Sequence, residues 1–310
     1  MRIVHLRMGM LAGWLACLVV AAWAQEAPAA NGTATAAATL RVSTLDEVKA
    51  EFDVVPCKNK ERLQAVKALF ERLGARPEDV TVADFKHVQN VVLSKPGTNN
   101  NAETIVIGAH YDKTADGCGA VDNWTGIVTL AHLYRTFKDY PLRKNVVFVA
   151  FGREEEGLIG SSAMTSKIKK EQATDYCAMI NIDSLGIGVP QSLDNVSSPT
   201  LTKLTEALAK ELELPFAHAR IEKASSDSAT FLQKKIPAIT IHGLTSEWPN
   251  ILHSKNDNPA KVNFSSVVAG YRLAAALLAR VDESDCQAFR EGKDKNKDKD
   301  KESKEKKESK

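Results

Sequence analysis

The stretch that decides the fold of this chain is Ile105-Val-Ile-Gly-Ala-His110-Tyr-Asp112-Lys-Thr-Ala-Asp116-Gly-Cys118-Gly-Ala-Val-Asp122-Asn123-Trp-Thr-Gly126. Its β-branched start predicts a buried strand, and small residues then lead the chain out of the sheet. Side chains alternate across a strand, so His110 and Asp112 lie on the same side just past the strand end. Asp112 can then accept one imidazole N–H while the other nitrogen of His110 binds a metal. Asp122 follows a Gly-rich turn, where apolar residues at helical spacing predict the start of a helix.

The rest of the central region alternates between apolar strand patterns and amphipathic helix patterns. This alternation predicts an α/β fold in a single domain, with a mixed, mainly parallel central sheet and helices on both faces. The predicted strands are 87–93 and 103–109 (a strand pair), 145–151, 176–182 and 237–242. The predicted helices are 60–73, 201–212, 229–234 and 259–281.

The first 24 residues have the pattern of a signal peptide. Arg2 and Arg7 precede an apolar run over 8–20, and Ala22-Trp23-Ala24 is a small-x-small cleavage site before Gln25. A membrane anchor is the alternative, but the run is shorter than the roughly 20 residues of a spanning helix. Lipidation at Cys17 is disfavoured because Trp14 stands where a lipobox has Leu. We expect export to the periplasm or the medium, with a flexible leader over 25–40.

The other end of the chain is almost entirely charged and polar. From Glu291 to Lys310 there are nine Lys and seven acidic residues, a composition that predicts a disordered tail. We place this tail at 287–310, after a folded domain at 41–286. The tail and the signal peptide account for the positive net charge of +2. No basic patch with interleaved aromatic residues occurs in the central region, and this argues against nucleic-acid binding.

Four cysteines remain after removal of the signal peptide: Cys57, Cys118, Cys177 and Cys286. Export favours one or two disulfides, and the three possible pairings stay open. A zinc site built from thiolates is disfavoured because the chain has no CxxC pattern.

Further acidic and histidine residues follow the later strands. Glu154-Glu155-Glu156 comes directly after the apolar run at 145–151, Asp183 ends the next strand, and His253 lies in a polar loop before the last helix. In α/β sheets the ligand crevice lies at the carboxyl ends of the strands, so these side chains can converge. Sets of His and carboxylate ligands suit zinc and similar divalent metals.

Together these fragments resemble the di-zinc aminopeptidases of the zinc exopeptidase clan, which also contains bacterial secreted leucyl aminopeptidases and glutaminyl cyclases. The resemblance spans Leu63 to Leu278 and implies the phosphorylase/hydrolase-like fold of that clan. The fragments that carry it are His110-Tyr-Asp112, Gly119-Ala-Val-Asp122-Asn, Glu154-Glu155-Glu156-Gly-Leu-Ile-Gly-Ser161, Asn181-Ile-Asp183 and Leu252-His253-Ser.

The resemblance implies two Zn²⁺ ions per chain. His110 and Asp183 would bind one ion, Glu155 and His253 the other, and Asp122 would bridge both. Glu154 would be the general base and Asp112 would orient His110. The family motif has two glutamates, and counting back from Gly157 selects Glu154 and Glu155; a slip to Glu155 and Glu156 is the alternative register.

The implied function is an exported aminopeptidase that acts on peptide or protein N-termini, without stable membrane insertion. A glutaminyl cyclase on the same scaffold and a non-catalytic binding module are the alternatives. Two departures from the family pattern stand out, Val121 beside the bridging Asp122 and Ser228 in place of a histidine. An oxyanion-stabilising tyrosine has no equivalent over 225–245, which leaves the metals alone or His242 for that role.

Overall fold

The computed structural model describes residues 40–290. The predicted signal peptide, nearly all of the predicted leader and the charged segment 291–310 lie outside the described residues. The folded part reaches beyond the predicted boundary at 286, because the turn Cys286–Phe289 buries Cys286 and Phe289. These apolar side chains explain why the chain stays packed there.

The described residues form helices and strands in alternation along most of the chain. The helices are α1 (Leu45–Ala50), α2 (Asn59–Arg72), α3 (Thr125–Phe137), α4 (Ile159–Ser166), α5 (Pro199–Glu211), α6 (Ser228–Gln233) and α7 (Phe264–Glu283). The strands are β1 (Thr81–Asp84), β2 (Gln89–Lys95), β3 (Thr104–His110), β4 (Asn145–Phe151), β5 (Tyr176–Ile182), β6 (Gln191–Leu193), β7 (Ala217–Ala219) and β8 (Ala238–His242).

All eight strands form one mixed sheet in the order β1-β2-β4-β3-β5-β8-β6-β7. Its centre is parallel, since β3 pairs with β4 and β5, and β5 pairs with β8, in the same direction. The edges add antiparallel pairs, β1 with β2, β2 with β4, and β6 with β8. The predicted mixed, mainly parallel α/β sheet is confirmed.

Strand β3 shows how the apolar pattern produces two core layers. Ile105 and Ile107 pack into the larger cluster with side chains of α2, α3 and α7, whereas Val106 packs into a second cluster with Phe231 of α6. A strand covered on both faces needs apolar residues at consecutive positions, and the sequence Ile105-Val-Ile supplies them. The helices therefore lie on both faces, as predicted.

Two predicted elements differ in the structure. The segments expected as a strand pair are β2 and β3, but β4 lies between them. A parallel connection such as β3 to β4 needs a crossover helix, here α3, and strand order is not written in the apolar pattern. The expected helix 259–281 is divided into a short turn, Pro259–Lys261, and α7, because the extended Asn263 caps α7 through its side chain.

Two disulfides join distant segments, Cys57 to Cys118 and Cys177 to Cys286. Within residues 40–290, α7 alone is long and apolar enough to cross a membrane by length and composition. Its Leu273, Leu277 and Leu278 are buried in the larger core cluster, which is typical of the core helix of a globular domain.

Candidate metal centre

The side chains singled out in the sequence meet at the carboxyl edge of the parallel strands. His110 is the last residue of β3, Glu154 and Glu155 follow β4, and Asp183 follows β5. Because these strands run in the same direction, their ends deliver the side chains to one place. Asp122 and His253 come from longer connections, and all six line a cavity of about 400 Å³.

The carboxylate of Asp122 lies between two imidazoles. Its Oδ1 is 3.1 Å from Nε2 of His110, and its Oδ2 is 3.1 Å from Nε2 of His253. Each histidine has a second carboxylate beside it: Asp183 Oδ1 is 3.4 Å from His110 Nε2, and Glu155 Oε2 is 3.2 Å from His253 Nε2. The centre therefore has two halves that share Asp122.

The electrostatics of the centre are those of a cation site. Burial opposes the ionisation of Asp122, but hydrogen bonds to the two imidazoles outweigh it and hold the pKa of this carboxyl below its usual value. Hydrogen bonds to Asp122 and Glu155 raise the pKa of His253 to about 10. Burial raises the pKa of Glu154 well above its usual value, although the charge of His110 opposes the shift. Several carboxylates crowded together with little solvent favour a bound cation.

The donor set also fits a divalent metal. His110, Asp122 and Glu155 each offer one ligand atom, and so do His110, Glu154 and Asp183, with the atoms of each group within 4.8 Å of one another. Oε1 of Glu155 is buried and has no hydrogen-bond partner among the described residues. A buried carboxylate oxygen without a donor is costly unless a cation binds there. Imidazole nitrogen with carboxylate oxygen is a common ligand combination for zinc.

Comparison with known proteins agrees with this geometry. The sequence model described as Peptidase family M28 matches residues 90–278, more than half of the chain, and this range contains every side chain of the centre. The chain belongs to peptidase family M28.

Similar proteins were found both by sequence and by structure. Leucine aminopeptidase 1 of Colletotrichum graminicola is 25% identical over 73% of this chain and 63% of its own length. This chain thus spans less than two thirds of that curated relative. Among solved structures, the Legionella pneumophila LapA aminopeptidase matches with a TM-score of 0.63 at 19% identity, over 79% of this chain and 76% of that one.

A glutaminyl cyclase from an Acidobacteriales bacterium matches with a TM-score of 0.64 at 17% identity, over 84% of this chain and 99% of its own. At such identities the two structures show the fold alone. They confirm the fold that the resemblance to the zinc exopeptidase clan implies.

Asp112 makes contacts that differ from the predicted one. Nδ1 of His110 lies 3.2 Å from the backbone carbonyl oxygen of Asp112, whereas the Asp112 carboxylate is 3.7 Å away. The carboxylate instead accepts the backbone N–H groups of Glu154 at 2.9 Å and Glu155 at 3.2 Å. Asp112 thus orients the glutamate turn through its side chain and His110 through its backbone.

The three adjacent glutamates do not all point into the cavity. Glu154 and Glu155 line the cavity. Glu156 points away, with 57% of its side chain exposed and an ion pair to Arg153 at 2.7 Å. Gly157 follows at a φ of +105°, a left-handed conformation that glycine adopts readily.

Cys118 and three further histidines lie outside the centre. Cys118 is joined to Cys57 and is not a ligand. His132 is buried against Ser43 Oγ at 2.8 Å, His218 lies beside Asp194, and His87 is exposed.

Three side chains that support the centre were not predicted from the sequence. Arg62 and Asp257 are both buried and bind the turn that carries Asp122. Ser226 Oγ donates a hydrogen bond to Asp183 Oδ2 at 2.6 Å. Ser226 lies two residues before Ser228, where the family has a histidine, and Asp257 stands in the same polar loop as His253. Arg62 lies in α2, where the sequence pattern predicted only an amphipathic helix.

Proposed function

We propose that this chain is an exported zinc-dependent aminopeptidase that hydrolyses the N-terminal bond of peptides. In this proposal His110 and Asp183 would hold one Zn²⁺, Glu155 and His253 would hold a second, and Asp122 would contribute one carboxylate oxygen to each. The observation that carries it is the position of Asp122, whose two oxygens each lie 3.1 Å from a different histidine nitrogen.

Zinc in such a pair of sites acts as a Lewis acid that polarises a carbonyl and makes a water more acidic. The remaining work falls to this chain's own residues. Glu154 would take a proton from the attacking water on its carboxylate and pass it to the leaving amine nitrogen. Burial raises the pKa of Glu154, which brings its proton affinity closer to what a base needs near neutral pH.

Asp112 supports this role of Glu154. Its two carboxylate oxygens accept the N–H groups of Glu154 and Glu155, so the direction of both side chains depends on one buried anchor. Fixed placement matters for proton transfer because the base must lie within hydrogen-bond reach of the proton it removes.

His242 would supply a hydrogen bond to the substrate. It is 2% exposed and lines the same cavity, and its Nδ1 accepts the N–H of Leu244 at 3.1 Å. The proton of the neutral ring therefore sits on Nε2, which has no hydrogen-bond partner among residues 40–290. Burial lowers the pKa of His242 to about 4, in keeping with a neutral donor. We assign this donor to the carbonyl oxygen of the scissile bond.

Part of the cavity wall beside these polar groups is apolar. Leu193, Ile221, Leu244, Trp248 and Leu252 contribute to it. An N-terminal residue with an apolar side chain would bury its surface there, at about 25 cal/mol per Å². We therefore expect leucyl substrates to be preferred over charged ones.

Export is supported by the signal-peptide pattern and by the two disulfides, which persist in oxidising compartments. N-terminal sequencing of the protein recovered outside the cytoplasm tests this part, with Gln25 expected as the first residue.

The central experiment measures metal content together with hydrolysis of leucine p-nitroanilide before and after chelation. We expect about two zinc ions per chain and activity that a chelator abolishes and zinc restores. A glutaminyl peptide is assayed in parallel for cyclisation. One tightly held zinc with cyclisation and no amide hydrolysis would replace the aminopeptidase by a glutaminyl cyclase.

A further inference from the structure

The loop that carries His253 also holds an acidic side chain, Asp257, which has no part in the reaction proposed above. Asp257 is 2% exposed. Its Oδ1 accepts the N–H of Val121 at 2.7 Å and its Oδ2 accepts the N–H of Asp122 at 3.1 Å, across more than 130 residues of sequence. Its backbone carbonyl accepts the N–H of Cys118 at 2.7 Å. Three hydrogen bonds thus join the loop of His253 to the turn of Asp122.

The close approach of these two segments depends on Gly117. Its φ is +66°, and a Cβ there would lie 2.3 Å from the carbonyl oxygen of Ser254 and 3.0 Å from that of Asp257. The absence of a side chain allows the turn to lie directly against the loop, so that Asp257 can reach the two N–H groups.

The same turn is held from another direction by Arg62. This buried guanidinium donates to the carbonyls of Cys118 at 3.0 Å and Gly119 at 3.2 Å. It also donates to the carbonyl of Tyr111, the residue after His110. Arg62 therefore connects the Asp122 turn to the end of β3, on the side of His110.

The two supports act on different halves of the centre. Arg62 links the turn of Asp122 to the residue after His110, whereas Asp257 links the same turn to the loop of His253. His253 lies four positions before Asp257 in that loop. Since Asp122 Oδ2 lies 3.1 Å from His253 Nε2, a shift of the loop against the turn would alter this half first. The half made by His110 and Asp183 would keep its own support.

We propose that Asp257 is a positioning residue that holds His253 against Asp122, so that its loss weakens metal binding in the Glu155 and His253 half selectively. The inference rests on the proposed two-zinc site. It assigns to Asp257 a geometric role that operates through backbone N–H groups, without contact with metal or substrate.

The test measures Zn²⁺ affinity of the full-length metal-stripped protein by competition with a chromogenic chelator. Asp257→Ala is introduced into two backgrounds. His110→Ala leaves the Glu155 and His253 half as the intact one, and His253→Ala leaves the His110 and Asp183 half. In the first background we expect Asp257→Ala to weaken zinc binding by about 10- to 100-fold, the usual effect of losing a residue that orients ligands. In the second background the affinity should change less than about threefold.

Asp257→Asn serves as a second variant in case the alanine variant does not fold, because it keeps one acceptor oxygen and loses the other. Asp116→Asn is the matched control, since it removes an exposed carboxylate from the same turn without these hydrogen bonds. Thermal unfolding of each metal-stripped variant shows whether the fold is retained.

Equal losses of affinity in both backgrounds, or no loss in either, would overturn the role of Asp257. The wild-type protein is measured first. If it binds fewer than two zinc ions, the proposed function itself fails, whatever the variants do. A wild-type protein with two zinc ions and a symmetrical response to Asp257→Ala would refute the positioning role alone.

Discussion

Ser226 donates a hydrogen bond from its Oγ to Asp183 Oδ2 at 2.6 Å. The hydroxyl is itself oriented by Asn181, whose Nδ2 donates to it at 2.6 Å. Asn181 lies in β5, two residues before Asp183, so the strand and the segment before α6 together fix the direction of one carboxylate oxygen. This relay supports the half of the centre that Asp257 does not reach.

Ser226→Ala should weaken zinc binding in the His110 and Asp183 half by about tenfold, because Asp183 loses its orienting donor. The affinity is measured in the His253→Ala background. Ser225→Ala is the control, since Ser225 is an exposed neighbour. An unchanged affinity of the Ser226 variant would show that Asp183 needs no such orientation.

Glu154→Gln should lower kcat on leucine p-nitroanilide by about 10²- to 10⁴-fold, because the amide cannot accept the proton of the attacking water. The substitution is isosteric, so zinc content should remain as in the wild type. Glu156→Gln is the matched control, as it makes the same change at an exposed position. Near wild-type kcat with full zinc content would exclude Glu154 as the base.

His242→Phe should lower kcat by about 10²- to 10³-fold, the usual effect of losing one donor to a developing oxyanion. The substitution keeps an aromatic ring but removes the donor, and zinc content should not change because His242 is outside the proposed ligand set. His218→Phe tests the general effect of replacing a histidine elsewhere. A rise in KM with unchanged kcat would place the donor on a part of the substrate away from the scissile carbonyl.

The two disulfides should both stabilise the fold but should differ in their effect on zinc affinity. Replacing either pair by serine should lower the free energy of unfolding by about 2–4 kcal/mol. Removal of Cys57–Cys118 should also weaken zinc binding, because Cys118 takes part in the contacts of both Asp257 and Arg62. Cys177–Cys286 joins the start of β5 to the last turn, so its removal should leave zinc affinity unchanged. Equal zinc affinities of the two variants would contradict this assignment.

The stability of the metal-stripped protein should fall in mild acid because of His132. Burial lowers the pKa of this side chain to about 4 in the folded state, against about 6.5 in the unfolded chain. Between these values the unfolded state binds more protons, so stability is complete above pH 6.5 and is lost as the pH falls towards 4. The loss is on the order of 3 kcal/mol.

Urea unfolding of the metal-stripped protein at pH 7 and pH 4.5 measures the effect. His132→Asn should reduce the difference between the two pH values, whereas His87→Gln, at an exposed position, should not. If wild type and His132→Asn showed the same pH dependence, the loss of stability in acid would be due to other groups.

The sequence alone determined much of the fold and identified the residues that the structure brings together. The runs at 145–151 and 176–182 coincide with β4 and β5, because consecutive apolar residues are an unambiguous requirement of a strand covered on both faces. His110, Asp122 and His253 stood out because such groups after strands or in polar loops have no core role. A family resemblance then assigned them to metal.

Tertiary structure alone decided the strand order, the cysteine pairing and the supports of the metal centre. Strand β4 lies between β2 and β3 although it follows both in sequence. Asp112, Arg62 and Asp257 all bind backbone groups of other segments, and every residue type carries such groups. A side chain that recognises a backbone N–H or carbonyl therefore leaves no pattern in the partner sequence, and the contact exists only once folding brings the two segments together.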